Sequence, residues 1–339
     1  MTNVLTFTKT PNAGEPWDVA IIGSGPSAFT AAIYTSRGAL STLILGGDMW
    51  GGQLMLTTEV DNFPAHPGIM GPELMTKMKD HALLFGAKMI EKNVTSFEVP
   101  SINNKYFKLT TADDLYLAKS VIIATGADTS WLGVPGEDKL RGRGVSSCAP
   151  CDAPFFKDKK VAVVGGGDSA MEEALVLTKY ASEVVLIHRR DSFRASAAMQ
   201  KRVFENKKIQ VLWDSSVAEI LGDEKVTGLK IKTTAGTKQA QKVKGEEKQG
   251  FVYWNMDIDG IFVAIGHTPS TKIFKDKVEL DTKGFIVKKS ADGFNTLTSQ
   301  KGVFVAGDVH DYHYKQAITA AGFGCMAGMD TVKYLADQN

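Results

Sequence analysis

The sequence predicts an α/β fold of two domains, because one strand–turn–helix unit occurs twice in its 339 residues. Each copy has a short apolar strand, a Gly-x-Gly-x-x-Ala turn and an Ala-rich helical stretch; the first begins at Asp18 and the second at Lys160. Such a turn offers bare backbone and a helix N-terminus to a pyrophosphate. Each copy therefore predicts a Rossmann-like dinucleotide-binding domain.

Length and composition exclude several classes of partner. The chain is long enough for two domains, each with its own core. Its 39 basic and 38 acidic residues give a net charge of +1, so no long-range field favours nucleic acid or a membrane surface. Residues 1–17 lack an apolar segment and carry one basic side chain, Lys9, unlike a targeting signal. We expect no nucleic-acid or membrane partner and a cytoplasmic location.

The order of the predicted strands indicates that the second unit is inserted into the first. The segment from Val303 to Asp308 reads as a strand that ends at a ligand, yet the second unit already has its strands and helix. We therefore assign residues 1–129 and 258–339 to a discontinuous domain and residues 130–257 to an inserted one. Both are expected to have the three-layer ββα form.

The residues that follow the second strand of such a unit select the nucleotide. In the inserted domain this position holds His188, Arg189 and Arg190, with Arg194 one turn further on. Guanidinium groups match a 2′-phosphate, which predicts NADPH; a solvated basic helix start is the alternative. The other predicted NADPH contacts belong to the glycine turn: Gly165, Gly167, Asp168, Ser169 and Ala170.

The first unit has no basic cluster at the corresponding position. It has Gly46–Asp48 and then Trp50–Gln53, which is compatible with FAD held by backbone and amide contacts. No acidic residue stands at the strand end itself, so the ribose contact is made differently or by Asp48. The predicted FAD contacts in the turn are Gly23, Ser24, Gly25, Pro26, Ser27 and Ala28.

A Cys-x-x-Cys motif, Cys148 to Cys151, lies between the two units. Zinc normally requires four ligands, and only Cys325 and scattered histidines remain to complete a site. Redox chemistry is favoured over zinc for this reason. The adjacent Asp152 is a candidate general acid or base, and also a candidate helix N-cap. Cys325 is expected to pack as a small apolar residue.

Taken together, the motifs resemble the low-molecular-weight thioredoxin reductases along nearly the whole chain. Each motif is common among flavoproteins, but the set in this order is specific. The matching segments are Gly23-Ser-Gly-Pro, Gly51-Gly-Gln-Leu, Glu59-Val-Asp-Asn62-Phe-Pro, Ala124-Thr-Gly-Ala, Cys148-x-x-Cys151-Asp152, Gly165-Gly-Gly-Asp-Ser-Ala, His188-Arg-Arg-x-x-x-Arg194-Ala, Gly307-Asp308-Val and the tail from Gln316.

The resemblance implies which residues hold FAD outside the glycine turn. Gln316 and Ala317 would lie near the isoalloxazine. The full implied set is Gly51, Gly52, Gln53, Leu54, Asn62, Ala124, Thr125, Gly126, Gly307, Asp308, Lys315, Gln316 and Ala317.

The resemblance also implies a reaction. Hydride would pass from NADPH to FAD, and the flavin would reduce a Cys148–Cys151 disulfide. Cys151 would face the flavin, Cys148 would attack the disulfide of thioredoxin or a thioredoxin-like protein, and Asp152 would transfer protons. The inserted domain would rotate between the two half-reactions about hinges near residues 128–130 and 257–260, and the chain would form a homodimer.

Three departures from the family pattern concern the dithiol and the tail. Pro150 stands in the dithiol spacer, where it removes an N–H donor and stiffens the turn. Ala153-Pro154 follows Asp152 where the family has Gly, which reduces backbone freedom. Lys315 replaces an Arg before Gln316 and keeps the charge without the planar fork.

Two alternatives and one docking hypothesis stay open. The chain could reduce another protein or small-molecule disulfide, as in a peroxiredoxin system, or serve as a non-enzymatic NADPH sensor; the intact Cys148, Cys151 and Asp152 argue against the sensor. Phe155 and Phe156 could form an exposed docking surface beside the dithiol, or they could pack under the second unit.

Overall fold

A computed structural model of the chain describes residues 10–57, 59–102, 104–291 and 293–338. It confirms an α/β fold with parallel sheets. The first nine residues, which include Lys9 and the start of the predicted FAD domain, lie outside the described residues. Among the described helices, none is long and apolar enough to cross a membrane.

The strands, in chain order, are β1 (Trp17–Ile22), β2 (Thr42–Leu45), β3 (Glu59–Val60), β4 (Ile69–Met70), β5 (Lys88–Ile90), β6 (Ser96–Glu98), β7 (Phe107–Thr110), β8 (Leu115–Ile123), β9 (Ala127–Thr129), β10 (Val145–Ser146), β11 (Lys160–Val164), β12 (Glu183–Ile187), β13 (Ile209–Leu212), β14 (Ser215–Leu221), β15 (Gly228–Thr234), β16 (Glu246–Lys248), β17 (Phe251–Asp257), β18 (Gly260–Val263), β19 (His267–Pro269), β20 (Lys289–Ala291), β21 (Phe294–Leu297) and β22 (Val303–Val305).

The helices are α1 (Pro26–Arg37), α2 (Gly71–Leu84), α3 (Glu137–Leu140), α4 (Ala149–Asp152), α5 (Asp168–Leu177), α6 (Ala197–Glu205) and α7 (Ala317–Ala336). Short 3-10 helices cover Gly52–Leu56, Ala153–Phe156, Ala240–Lys242 and Lys272–Phe274.

By its contacts the chain divides into two compact units. Unit 1 contains the described residues up to Asp128 and from Thr268 onwards, and unit 2 is Thr129–His267. The sequence predicts that the first domain resumes at residue 258, whereas in the structure unit 2 continues to His267. The reason is that β18 pairs with β10 and β11 inside unit 2. The expected second hinge at 257–260 therefore also lies within unit 2. The assignment of these units to FAD and NADPH stays a prediction.

Unit 1 is built on a nine-stranded sheet with β22, β8, β1, β2 and β5 in parallel. Because successive side chains of a strand point to opposite faces, Val19 and Ile21 of β1 pack towards α1 and α7. Ala20 and Ile22 pack on the other face, in the cluster that holds Phe97 of β6.

Unit 2 has a five-stranded parallel sheet in the order β10-β18-β11-β12-β13. One face packs against α4 and α5. The other packs against a four-stranded antiparallel sheet, β14-β15-β17-β16. The polar segment before β17 is a hairpin, since β16 pairs with β17.

Candidate active site

Cys148 and Cys151 form a disulfide at the start of α4. Cys148 is the N-cap residue of this short helix, and both side chains are half-buried. The sulfurs are thus bonded to each other. Among the described residues no group of three or more His, Cys, Asp or Glu side chains is arranged to hold a metal.

Asp152 lies at the end of α4 and is held by the residues before it. Its backbone N–H donates to the carbonyl of Cys148 at 3.1 Å. The hydroxyl of Ser146 accepts the Cys148 N–H at 3.0 Å and hydrogen bonds with the Asp152 carboxyl. Burial raises the pKa of Asp152, and the bond to Ser146 partly opposes this rise. The carboxyl therefore keeps its proton to a higher pH than an exposed aspartate does.

Ser146 was not among the residues predicted from the sequence. A serine at the end of a short strand gives no signal of its own. Its place on β10, two residues before the first cysteine, is what makes it a partner of the dithiol turn.

Pro150 causes no loss of hydrogen bonding in the dithiol turn. It occupies the first turn of α4, where a backbone N–H has no partner within the helix. Pro154 likewise lies in the first turn of the 3-10 helix that follows. The donor that Pro150 lacks is therefore one that the helix does not use, and the stiffening of the turn stays a prediction.

The two phenylalanines after the dithiol turn differ in exposure. Phe156 is 7% exposed and packs edge-on against Phe262, with ring centroids 5.2 Å apart. The hypothesis that both residues form an exposed surface is wrong for Phe156, which belongs to the core of unit 2. Phe155 is 38% exposed and remains a docking candidate.

In unit 1 three predicted FAD segments meet at one edge of the sheet. Gly23, Ala124 and Gly307 follow β1, β8 and β22, which are adjacent and parallel. Gly23 has φ +123°, and a Cβ there would overlap the Ala124 carbonyl oxygen, so only glycine fits. The carboxyl edge of such a sheet is where nucleotides bind in this fold class.

The glycine turn leads directly into α1. Gly25 is the cap position and Pro26 lies in the first turn, with Ser27 and Ala28 buried behind it. Within the part of the chain that the structure describes, no side chain caps α1. Its first N–H groups are thus free to bind a phosphate.

The loop Gly51–Leu54 is fastened to this turn. The Gly51 N–H donates to the Ser24 hydroxyl at 3.0 Å, and that hydroxyl donates to the Gly46 carbonyl at 2.6 Å. The side-chain amide of Gln53 donates to the Ala127 carbonyl, and Leu54 packs into the core. The side chains of Gln53 and Leu54 thus hold the loop in place.

The segment after β8 is held against another loop of unit 1. The hydroxyl of Thr125 donates to the Ser270 carbonyl at 2.9 Å, and Gly126 has φ +69°.

Asp308 supplies the test of whether this edge fits FAD. Its Oδ1 is buried and has no hydrogen-bond partner among the described residues. Burial, together with the nearby charge of Asp311, raises the pKa of Asp308 to about 7. Buried polar atoms in proteins almost always have partners. An unpaired carboxyl oxygen at the nucleotide edge fits the hydroxyl-rich chain of a flavin dinucleotide.

Asp311, which was not predicted from the sequence, shapes the turn that leads into α7. Its carboxylate accepts the backbone N–H groups of His313, Tyr314 and Lys315 at 3.0, 3.0 and 3.2 Å. Lys315 then adopts φ +47°, and Gln316 caps α7 so that Ala317 is its first residue. The signal available in the sequence was an Asp three residues after Asp308, in a segment already assigned to the cofactor.

His310, in the same segment, is half-buried beside Phe323, with ring centroids 4.5 Å apart. Burial lowers its pKa to about 4. Its Nε2 has no partner among the described residues.

In unit 2 the second glycine turn leads from β11 into α5. Gly165 follows the strand, Gly167 is the cap residue, and the described residues include no side-chain cap on α5. Ala170 is buried, whereas Asp168 and Ser169 are exposed at the helix start. The first N–H groups of α5 can therefore bind a phosphate as those of α1 can.

The predicted basic cluster follows β12, as expected. Arg189, Arg190 and Arg194 are exposed, and in the described part of the chain none of them forms a salt bridge. His188 differs from them: it is 6% exposed, and its Nε2 lies 3.0 Å from the Ser192 carbonyl oxygen. Burial lowers its pKa, so this side chain packs inside the loop.

Comparisons with known proteins cover nearly the whole chain. Residues 17–324 match the family described as pyridine nucleotide-disulphide oxidoreductase. A thioredoxin reductase of Mycolicibacterium smegmatis is 46% identical over 323 residues, which are 95% of this chain and 97% of that protein. A thioredoxin reductase of Streptomyces coelicolor is 47% identical over 94% of each chain.

A solved structure agrees with these relatives. The crystal structure of thioredoxin reductase from Streptococcus pyogenes matches with a TM-score of 0.85 and 39% identity. The match covers 95% of this chain and 98% of that one.

Proposed function

The chain belongs to the pyridine nucleotide-disulphide oxidoreductase family, and on this premise we propose that it is an NADPH-dependent thioredoxin-disulfide reductase with FAD as its flavin. The observation that carries the proposal is the Cys148–Cys151 disulfide beside the buried carboxyl of Asp152. A dithiol turn of this kind, in a chain with two uncapped glycine turns, is suited to passing electrons from a nucleotide to a protein disulfide.

Each cofactor has its own set of residues. In unit 1 the first turn of α1, the loop Gly51–Leu54, Asp308 and the start of α7 would hold FAD. In unit 2 the first turn of α5 and the arginines after β12 would hold NADPH. When bound, NADPH would supply a hydride and FAD would pass the two electrons to the Cys148–Cys151 disulfide, which becomes a dithiol.

The two cysteines then exchange electrons with the substrate. The Cys148 thiolate attacks one sulfur of the partner disulfide, which forms a mixed disulfide and releases one partner thiolate. The Cys151 thiolate attacks the Cys148 sulfur, restores the Cys148–Cys151 disulfide and releases the second partner thiolate. Two electrons leave the protein in each cycle, and the two released thiolates take up two protons.

Asp152 is the group in this turn that can supply such a proton. Because burial raises its pKa, it holds a proton more readily than an exposed aspartate near neutral pH. Its neighbour Ser146 donates to the carboxylate form and so eases the release of that proton.

Rotation of unit 2 between the two half-reactions is part of the proposal. The chain passes between the units at Asp128–Thr129 and at His267–Thr268. These two crossings, rather than residues 257–260, are where a hinge motion would change backbone angles.

We also propose that the chain is a homodimer, joined through an apolar face of α1 and α7. Ile318, Cys325 and Met329 follow one another at helical spacing along one side of α7, and the Tyr34 hydroxyl of α1 hydrogen bonds with Cys325. Ile318, Met329 and Tyr34 are 43%, 58% and 41% exposed. A contiguous apolar face of this kind is typical of an interface, and we call these four residues the α7 face.

Cys325 is half-buried in the α7 face, so it is less enclosed than expected from the sequence.

The deciding experiment measures NADPH-dependent reduction of a thioredoxin disulfide by the FAD-loaded protein. Turnover is expected with NADPH, at least tenfold less with NADH, and none in a Cys148→Ser variant. Cys325→Ser, which removes the third cysteine, is the matched control and should keep its turnover. Flavin reduction without thioredoxin reduction would mean that another disulfide is the substrate, and no flavin reduction would overturn the electron donor.

A further inference from the structure

The arginine-bearing loop after β12 is fastened to the glycine turn of unit 2 by its backbone. The N–H groups of Arg194 and Ala195 both donate to the Gly166 carbonyl, at 2.8 and 3.2 Å. A Cβ on Gly166 would overlap the ring of His188, so the turn and the loop lie in direct contact. The two segments that would grip the nucleotide thus form one structure before any ligand binds.

The side chains of the loop alternate in a way that fixes its direction. Phe193 and Ala195 are buried, at 9% and 6% exposure, and Arg194 between them is exposed. Phe193 packs against Trp213 with ring centroids 4.3 Å apart and against His188 at 5.3 Å. This anchor commits the Arg194 side chain to the solvent side of the loop.

Asp168 closes the loop at its far end. One oxygen, Oδ1, accepts both the backbone N–H of Ser196 at 2.9 Å and the Ser196 hydroxyl at 2.8 Å. Asp168 is also the first residue of α5. Its carboxylate therefore joins the start of the phosphate-binding helix to the residue two positions after Arg194.

We propose that Asp168 and Ser196 form a latch that holds Arg194 in position for a 2′-phosphate, so that Asp168 determines nucleotide specificity without itself binding the nucleotide. The inference rests on the proposed use of NADPH. Asp168 thus has a different task from the direct contact expected from the sequence, and Ser196 joins the site as a residue not predicted from the sequence.

The chemistry of the contact explains why a carboxylate occupies a site built for anions. A free aspartate at the mouth of a phosphate site would repel the ligand. Here two hydrogen bonds from Ser196 stabilise the carboxylate, keep the pKa of Asp168 below its usual value and hold the side chain against the loop. Fixing the backbone of the loop in advance removes the entropy cost of ordering that backbone when the ligand binds.

If the latch is correct, its removal should lower the binding affinity only for ligands that carry the 2′-phosphate. In FAD-loaded protein, Asp168→Ala should weaken binding of adenosine 2′,5′-bisphosphate about tenfold, as expected for the loss of hydrogen bonds to a charged acceptor. Binding of 5′-AMP, which lacks the 2′-phosphate, should change less than about twofold. Isothermal titration calorimetry measures both, and the KM for NADPH should rise in parallel.

Two further variants separate the latch from a structural defect. Asp168→Asn keeps an oxygen that can accept both Ser196 bonds, so it should retain at least wild-type affinity for the bisphosphate. Ser192→Ala, in the same loop, removes a hydroxyl whose hydrogen-bond partner among the described residues is Asp191, and it should have no effect. The latch would be overturned if Asp168→Ala lost affinity equally for the bisphosphate and for 5′-AMP. It would also be overturned if Asp168→Asn lost as much affinity for the bisphosphate as Asp168→Ala. A wild-type protein that does not prefer the bisphosphate to 5′-AMP would instead overturn the assignment to NADPH.

Discussion

The side-chain amide of Asn62 donates a hydrogen bond to Oε1 of Gln316, 3.1 Å away, across 254 positions of the chain. Gln316 caps α7, and its capping box also includes the Thr319 hydroxyl, which accepts the Gln316 N–H at 3.2 Å. The loop that contains Asn62 is thereby tied to the start of the helix proposed to face the flavin. Both residues were assigned to FAD on separate motifs, and the structure brings them together.

Asn62→Ala is expected to weaken FAD binding about five- to tenfold, because it removes a hydrogen bond that positions Gln316. Titration of the FAD-free protein with FAD, followed by quenching of flavin fluorescence, measures the affinity. Asn255→Ala, an exposed asparagine in unit 2, is the control and should bind FAD normally. An unchanged affinity in Asn62→Ala would show that the contact does not support the cofactor site.

Asp308 should make the stability of the FAD-free protein depend on pH. Its pKa rises from 3.8 to about 7 on folding because the carboxyl is buried. Between pH 3.8 and about 7 the folded state therefore holds a proton that the unfolded state has lost. The stabilisation from this proton is fully present below pH 3.8, and it is lost as the pH rises through about 7, so the free energy of unfolding falls across this range.

Asp308→Asn removes that proton equilibrium. Between pH 4 and pH 8 the variant should gain up to about 4 kcal/mol of unfolding free energy relative to wild type. Urea unfolding at a series of pH values measures the difference. If the free energy of unfolding depended on pH in the same way in both proteins, Asp308 would have the same pKa in the folded and the unfolded state.

Ser146 should control the pH at which Asp152 ionises. Burial raises the pKa of Asp152, and the Ser146 hydrogen bond lowers it. Ser146→Ala should therefore raise the pKa of Asp152 further and move the corresponding limb of the pH–rate profile for thioredoxin reduction to higher pH. Ser147→Ala, at the neighbouring position, should leave the profile in place. A lower rate at every pH without a shift would mean that Ser146 only supports the fold of the turn.

The α7 face predicts a dimer that one charge can break. Met329→Glu places a carboxylate at the most exposed of the four residues, and the dimer dissociation constant should rise at least about tenfold because a charge would be buried against an apolar surface. Analytical ultracentrifugation measures it. Met49→Glu, at a methionine of unit 1 that is 91% exposed, is the control. A dimer unaffected by Met329→Glu would place the interface elsewhere.

The parts of the site that depend on local chemistry could be predicted from the sequence. A glycine turn such as Gly23 to Ala28 has to follow a strand and open a helix, because its backbone geometry leaves few alternatives. The pairing of Cys148 with Cys151 and the arginines after β12 depend in the same way on short spacings. The α/β class follows from the repetition of that unit.

The parts that depend on distant contacts could not be predicted. Nothing near residue 258 shows that β18 completes the sheet of unit 2, since β18 is apolar like any central strand. Phe155 and Phe156 are neighbouring residues of the same type, so the sequence does not distinguish them. Phe156 is the buried one because it packs against Phe262. Ser146, Ser196 and Asp311 are common polar residues whose roles arise from partners that the fold brings to them.

Phe155 is expected to contribute to docking of the protein substrate, since it is the exposed aromatic residue next to the dithiol turn. Phe155→Ala should raise the KM for thioredoxin about five- to twentyfold, because an aromatic contact buried at an interface is lost. Turnover of a small disulfide reagent, which needs no docking surface, should be unchanged. Tyr180→Ala removes an aromatic residue of unit 2 with 37% exposure, close to the 38% of Phe155, and should affect neither substrate. If Phe155→Ala slows both substrates equally, the residue supports the dithiol turn itself and the docking surface lies elsewhere.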